Sequence, residues 1–97
     1  MSRELDFSRS YGFARGFSWR RESFGGILYH YEGEKPDPHV FFVDSPFLVS
    51  LLEVLDQAPL DGVIAQVKEH FQLKEDEITV IRRFLETLAE KGALIPK

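Results

Sequence analysis

Ninety-seven residues, 43% apolar and 13% aromatic, make one folded domain with an adequate but small core. A formal charge of −4 argues against nucleic acid or an anionic membrane as the main partner. The absence of cysteine removes a disulfide framework, a thiolate nucleophile and an iron–sulfur ligand set. No apolar run approaches the roughly 20 residues that span a bilayer. The opening residues, MSRELDFSRS, hold no apolar stretch of signal-peptide type, so a cytoplasmic protein is expected. Charge is unevenly spread. Residues 1–24 set Arg3, Arg9, Arg15, Arg20 and Arg21 against Glu4, Asp6 and Glu22. Residues 25–60 set Lys35 against Glu32, Glu34, Asp37, Asp44, Glu53 and Asp56.

Residues 1–14 are rich in Ser and Arg with scattered Phe7, Tyr11 and Phe13, and no period is sustained. They read as a flexible N-terminal arm, loose or folded over the body, ahead of a single domain at 15–97. From Arg15 to Arg21 the pattern alternates, with Phe17 and Trp19 opposite Ser18 and Arg20, which predicts a strand with one buried face. Gly25-Gly26 allows a bend or bulge before a second strand at Ile27–Glu32. Residues 33–38, dense in turn formers, read as an exposed hairpin loop longer than a minimal turn. The third strand runs from His39 to Asp44, and its Val40-Phe41-Phe42-Val43 is apolar on both sides. Such a strand buries two faces or offers one to a partner.

Ser45-Pro46 predicts a helix start, with Ser as N-cap and Pro at the first helical position, and Phe47, Leu48, Leu51, Leu52 and Leu55 follow at helical spacing. Asp61 is placed to cap a second helix carrying Val63, Ile64, Val67 and Phe71. A third helix runs from about Lys74 to Lys91, with Gly92 as its stop and Ile78, Ile81, Leu85 and Leu88 as its inward stripe. The expected fold is α+β: a three-stranded antiparallel sheet followed by three helices, the last two joined by a short turn, in the manner of a winged helix-turn-helix.

Catalytic chemistry is not evident. His30, His39 and His70 form no metal-binding spacing with acids, no nucleophile elbow or phosphate loop is present, and Glu75 and Asp76 sit where a helix dipole explains them. The expectation is no catalytic residue, no metal and no cofactor.

Two features exceed what a core requires. As an edge strand, His39, Val40, Phe41, Phe42, Val43 and Asp44 would present unpaired backbone groups as a template for an added peptide strand. On the last helix, Val80 and Phe84 lie four apart beside the core stripe, with Arg83 and Thr87 close by and Arg82 projecting elsewhere. A groove floored by Val80 and Phe84 beside basic groups suits an amphipathic, acid-bearing peptide.

The run RRESFGGILYHY, followed by a strand ending just before SPFLVSLLEVL, resembles the small peptide-binding chaperones of mycofactocin biosynthesis, among the PqqD-like recognition elements. Arg21, Glu22, Phe24, Gly25, Tyr29 and His30, with the Ser45-Pro46 helix start behind them, carry the resemblance, which covers residues 11–57 well and 58–97 only in helical layout. It implies a non-catalytic chaperone whose third strand and third helix take the leader of a ribosomally made precursor peptide. It also implies a radical S-adenosylmethionine maturase as second partner, the iron–sulfur clusters belonging to that enzyme. The Pro-containing 33–38 loop departs from the tighter turn expected of such proteins.

Two other readings compete. A DNA-binding winged helix would lead into the groove with Glu75-Asp76-Glu77, against the phosphate backbone. A scaffold subunit would dimerise through the strand edge that a leader needs; a monomer is the favoured expectation.

Overall fold

The computed structural model describes residues 5–31, 33 and 37–97. Its elements are β1 (Tyr11–Phe13), β2 (Phe17–Glu22), β3 (Gly25–His30), β4 (His39–Val43), α1 (Pro46–Val54), α2 (Leu60–Phe71), α3 (Glu75–Glu90) and β5 (Leu94–Pro96). The expected three-stranded antiparallel sheet is present in the order β2-β3-β4, and the three helices follow it. The loop expected at 33–38, the strand end at Glu32 and the first four residues of the arm lie in whole or in part outside the described residues.

The hairpin joining β2 and β3 turns on two residues, Ser23 and Phe24, so that Glu22 pairs with Gly25. No Asn-Gly or Asp-Gly pair announces that turn. The Gly25-Gly26 pair expected to bend the chain instead opens β3, and Gly25 takes a φ of +146° that an L side chain rarely adopts. A Cβ at this position would overlap the Val43 carbonyl oxygen of β4.

Alternation divides the sheet. Trp19, Leu28, Phe41 and Val43 turn toward the helices, and Leu28 and Val43 are buried. Beneath them Val49, Leu51, Leu55, Leu60, Val63, Ile81, Leu85 and Leu88 form one core. The Arg21 guanidinium pairs with Glu53 of α1 at the margin of that face.

Two short strands join the chain ends in a ribbon separate from the sheet: β1 pairs antiparallel with β5, Tyr11 opposite Pro96 and Phe13 opposite Leu94. Three residues each are too few for periodicity to reveal, and β1 lies within the segment read as an arm. Residues 5–10 cross the start of α2, which reverses one expected cap. Asp61 does not cap that helix; it lies in the first turn, and the N-cap position is Pro59, which makes no side-chain cap bond. The arm supplies acceptors instead: the Leu60 N–H donates to the Arg9 carbonyl at 3.0 Å and the Asp61 N–H to the Phe7 carbonyl at 2.8 Å. Arg82 of α3 stands over the Phe7 ring at 5.3 Å. At the arm's own turn, the Ser8 hydroxyl and N–H donate to the Asp6 carboxylate, holding that carboxyl below its usual range.

Ser45 holds the N-cap position of α1 with extended backbone, yet its side chain makes no cap bond and its Oγ is buried without a partner. The last helix stops at Gly92 as expected, and its start carries a cap that was not expected. The Lys74 N–H donates to the Glu77 carboxylate at 3.0 Å, and Gly92 follows Lys91 with a φ of +77°.

Two stability predictions follow from these contacts. Gly25→Ala adds backbone strain and a clash with β4, and urea unfolding should show a loss of at least about 2 kcal/mol. Deleting residues 1–9 leaves the first N–H groups of α2 without acceptors, and should lower stability by about 1–3 kcal/mol in the same assay.

Candidate functional site

β2 and β4 are the two edges of the sheet, and on β4 hairpin geometry decides which groups face outward. A two-residue turn closes on a hydrogen-bonded pair, so Glu22 and Gly25 exchange backbone bonds and every second residue of β3 does likewise toward β2. The Tyr31 N–H, two residues beyond Tyr29, donates to the Gly16 carbonyl at 2.9 Å and keeps the same parity. Gly26, Leu28 and His30 therefore bond β4, through Val43, Phe41 and His39. Val40 and Phe42 are left with N–H and C=O groups directed at the free edge.

Side chains of β4 alternate in the same way. Phe41 and Val43 point inward; Val43 is 4% exposed and serves the core. Val40 and Phe42 point outward and are 41% and 71% exposed. Complete burial of a Phe side chain is worth about 1.5–3 kcal/mol, and Phe42 forgoes most of it. His39 begins the strand and is exposed, its ring 6.1 Å from that of His30, which stacks flat on Phe17 at 4.0 Å. His30 thus fills the face of the sheet. Asp44 is exposed just past the strand end.

The expected flank of α3 is present and longer than the residues first singled out. Val80, Phe84, Thr87 and Lys91 follow at intervals of four, three and four, which places them in one stripe beside the core stripe. Val80 is 47% exposed, and Phe84 is half-buried against the core. At the end of the stripe the Lys91 Nζ stands 4.3 Å from the centre of the Phe41 ring, so this flank meets the inward side of β4. The Thr87 hydroxyl donates back to the Arg83 carbonyl at 2.9 Å. Arg83 is exposed next to the stripe, whereas Arg82 lies on the opposite flank over Phe7. The two arginines thus lie on different flanks of α3, Arg83 exposed and Arg82 against the arm.

β4 and α3 are therefore brought together by Phe41 and Lys91, and the second of these was missed by the sequence reading. Its signal was available, since 91 continues the 84, 87 spacing. Phe24 was noted only as part of a motif; its ring lies 5.9 Å from that of Phe42 on the outer side of the sheet. Among the described residues no group of three or more His, Asp or Glu side chains is placed to hold a metal ion, and no helix is long and apolar enough to cross a membrane.

The arrangement sets a backbone edge beside a helix flank that carries an exposed apolar residue, Val80, and the cations Arg83 and Lys91. No curated protein and no solved structure matches the chain. The model of the peptide chaperone MftB family matches residues 10–95, from just before β1 into β5. The chain belongs to that family and is a peptide chaperone of mycofactocin biosynthesis, not an enzyme.

Proposed function

We propose that the chain binds the leader of its precursor peptide by strand addition to β4 and presents it to a radical S-adenosylmethionine maturase. The observation that carries this reading is the meeting of an open strand edge with the α3 flank through Phe41 and Lys91. Val40 and Phe42 supply the outward backbone groups, and His39 and Asp44 bound the segment. Val43 and the inward half of Phe41 hold it in place. On the inward side of the added strand, Val80 and Phe84 receive apolar side chains. Arg83 and Lys91 pair with leader acids, and Thr87 closes the groove between them. In fold terms this is a winged-helix-like, PqqD-like recognition element, with the sheet edge and last helix serving peptide rather than DNA. The acids Glu75, Asp76 and Glu77 at the start of α3 favour that choice over a phosphate backbone. A cytoplasmic setting agrees with a maturase whose clusters require reduced thiols.

Two measurements test this. Titration of a synthetic leader, followed by Trp19 fluorescence or calorimetry, should give saturable one-to-one binding that Val80→Glu weakens tenfold or more, about 1.4 kcal/mol, with the thermal midpoint unchanged. Wild-type affinity in both Val80→Glu and Phe84→Glu would remove α3 from the site. N-methylating the leader one residue at a time should abolish binding at every second position across the paired segment and spare the residues between. A leader tolerant of N-methylation throughout does not bind as a strand.

A further inference from the structure

On the outer face of the sheet, away from both the core and the α3 groove, Phe24, Phe42, Val40 and Tyr29 form a continuous apolar patch. Arg20, Ile27 and Phe42 lie side by side across the three strands, and Ser18, Tyr29 and Val40 form the next row. Ile27 is only 9% exposed although it points away from the core, so its neighbours cover it. Phe24 reaches over from the β2–β3 turn and is itself 48% exposed. The guanidinium of Arg20 stands over the Tyr29 ring at 5.4 Å and pairs with Glu22, leaving the patch rim without an unpaired charge at that side.

We propose that this patch is a second recognition surface for the leader, reading its outward-facing side chains and selecting apolar residues at two positions two apart. The inference rests on strand addition at β4. A strand paired to that edge must send alternate side chains to opposite faces. Those facing inward meet Phe41 and the α3 flank, where Lys91 and Arg83 favour carboxylates. Those facing outward stand about 4.5–5.5 Å from Val40 and Phe42 in cross-strand pairs. The outer patch is aromatic and aliphatic, Arg20 is paired with Glu22 and Asp44 stands at its end, so charge complementarity assigns leader acids to the inner side and apolar, preferentially aromatic or branched, side chains to the outer one. The occupant is the leader itself, since its strand is the segment that the edge places against Val40 and Phe42. Phe24 then closes over the outward residue next to Phe42.

The test uses the whole chain and an alanine-scanned synthetic leader. Phe42→Ser and Phe24→Ser should each weaken binding, Phe42→Ser at least tenfold and with its thermal midpoint unchanged because that side chain is 71% exposed. Two leader positions, two residues apart, should lose affinity on substitution by alanine in the wild type and lose that sensitivity in Phe42→Ser. Wild-type binding by both variants, with Val80→Glu still impaired, would overturn the outer surface and leave strand addition standing. If N-methylation of the leader shows no alternation, strand addition itself fails and the outer surface fails with it. Conversion of a self-associated chain to monomer by Phe42→Ser in sedimentation, at unchanged leader affinity, would assign the patch to a second copy and overturn the proposal.

Discussion

Backbone parity in β4 is the constraint on which the proposed peptide-binding surfaces depend. Every second residue of an antiparallel strand spends its N–H and C=O on one neighbour, and β4 has a neighbour on one side only. The two-residue Ser23-Phe24 turn sets the phase for β3, and β3 passes it to β4. With that phase, Val40 and Phe42 carry both the unpaired backbone groups and the exposed apolar side chains. A slip of one residue would bury Phe42 and expose Phe41 and Val43, emptying the core and the edge together. Gly25 guards the phase, because its φ and its closeness to the Val43 carbonyl exclude a side chain.

The last helix shows how one element serves two neighbours. A core stripe of about 100° would have sufficed to hold α3 in place. Its apolar surface instead widens through Phe84 to Val80, and the stripe so formed ends at Lys91 against β4. The other flank is given to the arm through Arg82 and Phe7. The arm in turn provides the carbonyls that Pro59 cannot replace at the start of α2, so the N-terminal segment, the helices and the β1–β5 ribbon stabilise one another. Among the described residues, Val40 and Phe42 on the β4 edge stay exposed, and the proposed peptide surface is built on them and on the α3 flank.

Much of this was legible in the chain itself. The alternation of Phe17 and Trp19, the two-sided apolar run Val40–Val43, the Pro46 helix start and the Gly92 stop are local signals, and each depends on a few neighbouring residues. The family resemblance carried by Phe24, Gly25, Tyr29 and His30 is local in the same sense. The absence of cysteine excluded thiol and disulfide chemistry with no structure at all, and the acidic balance argued against nucleic acid as the main partner. The Val80/Phe84 flank was legible because a helix converts spacing directly into a face.

The remainder required the folded chain, for reasons that are non-local. β1 and β5 lie more than eighty positions apart, and neither is long enough to show a period. Ser45 and Asp61 carry the right chemistry for caps. Whether a side chain reaches an N–H group depends on what packs around it, and here the Ser45 hydroxyl is buried and the arm takes the place assigned to Asp61. That β4 is an edge and not a central strand is a matter of sheet order, which an apolar run cannot state. Sequence by itself determined the composition of the strand and of the helix flank, because both follow from residue period. Tertiary structure alone decided that Phe41 and Lys91 join them, because two elements separated by residues 44–74 meet only when the core between them has closed.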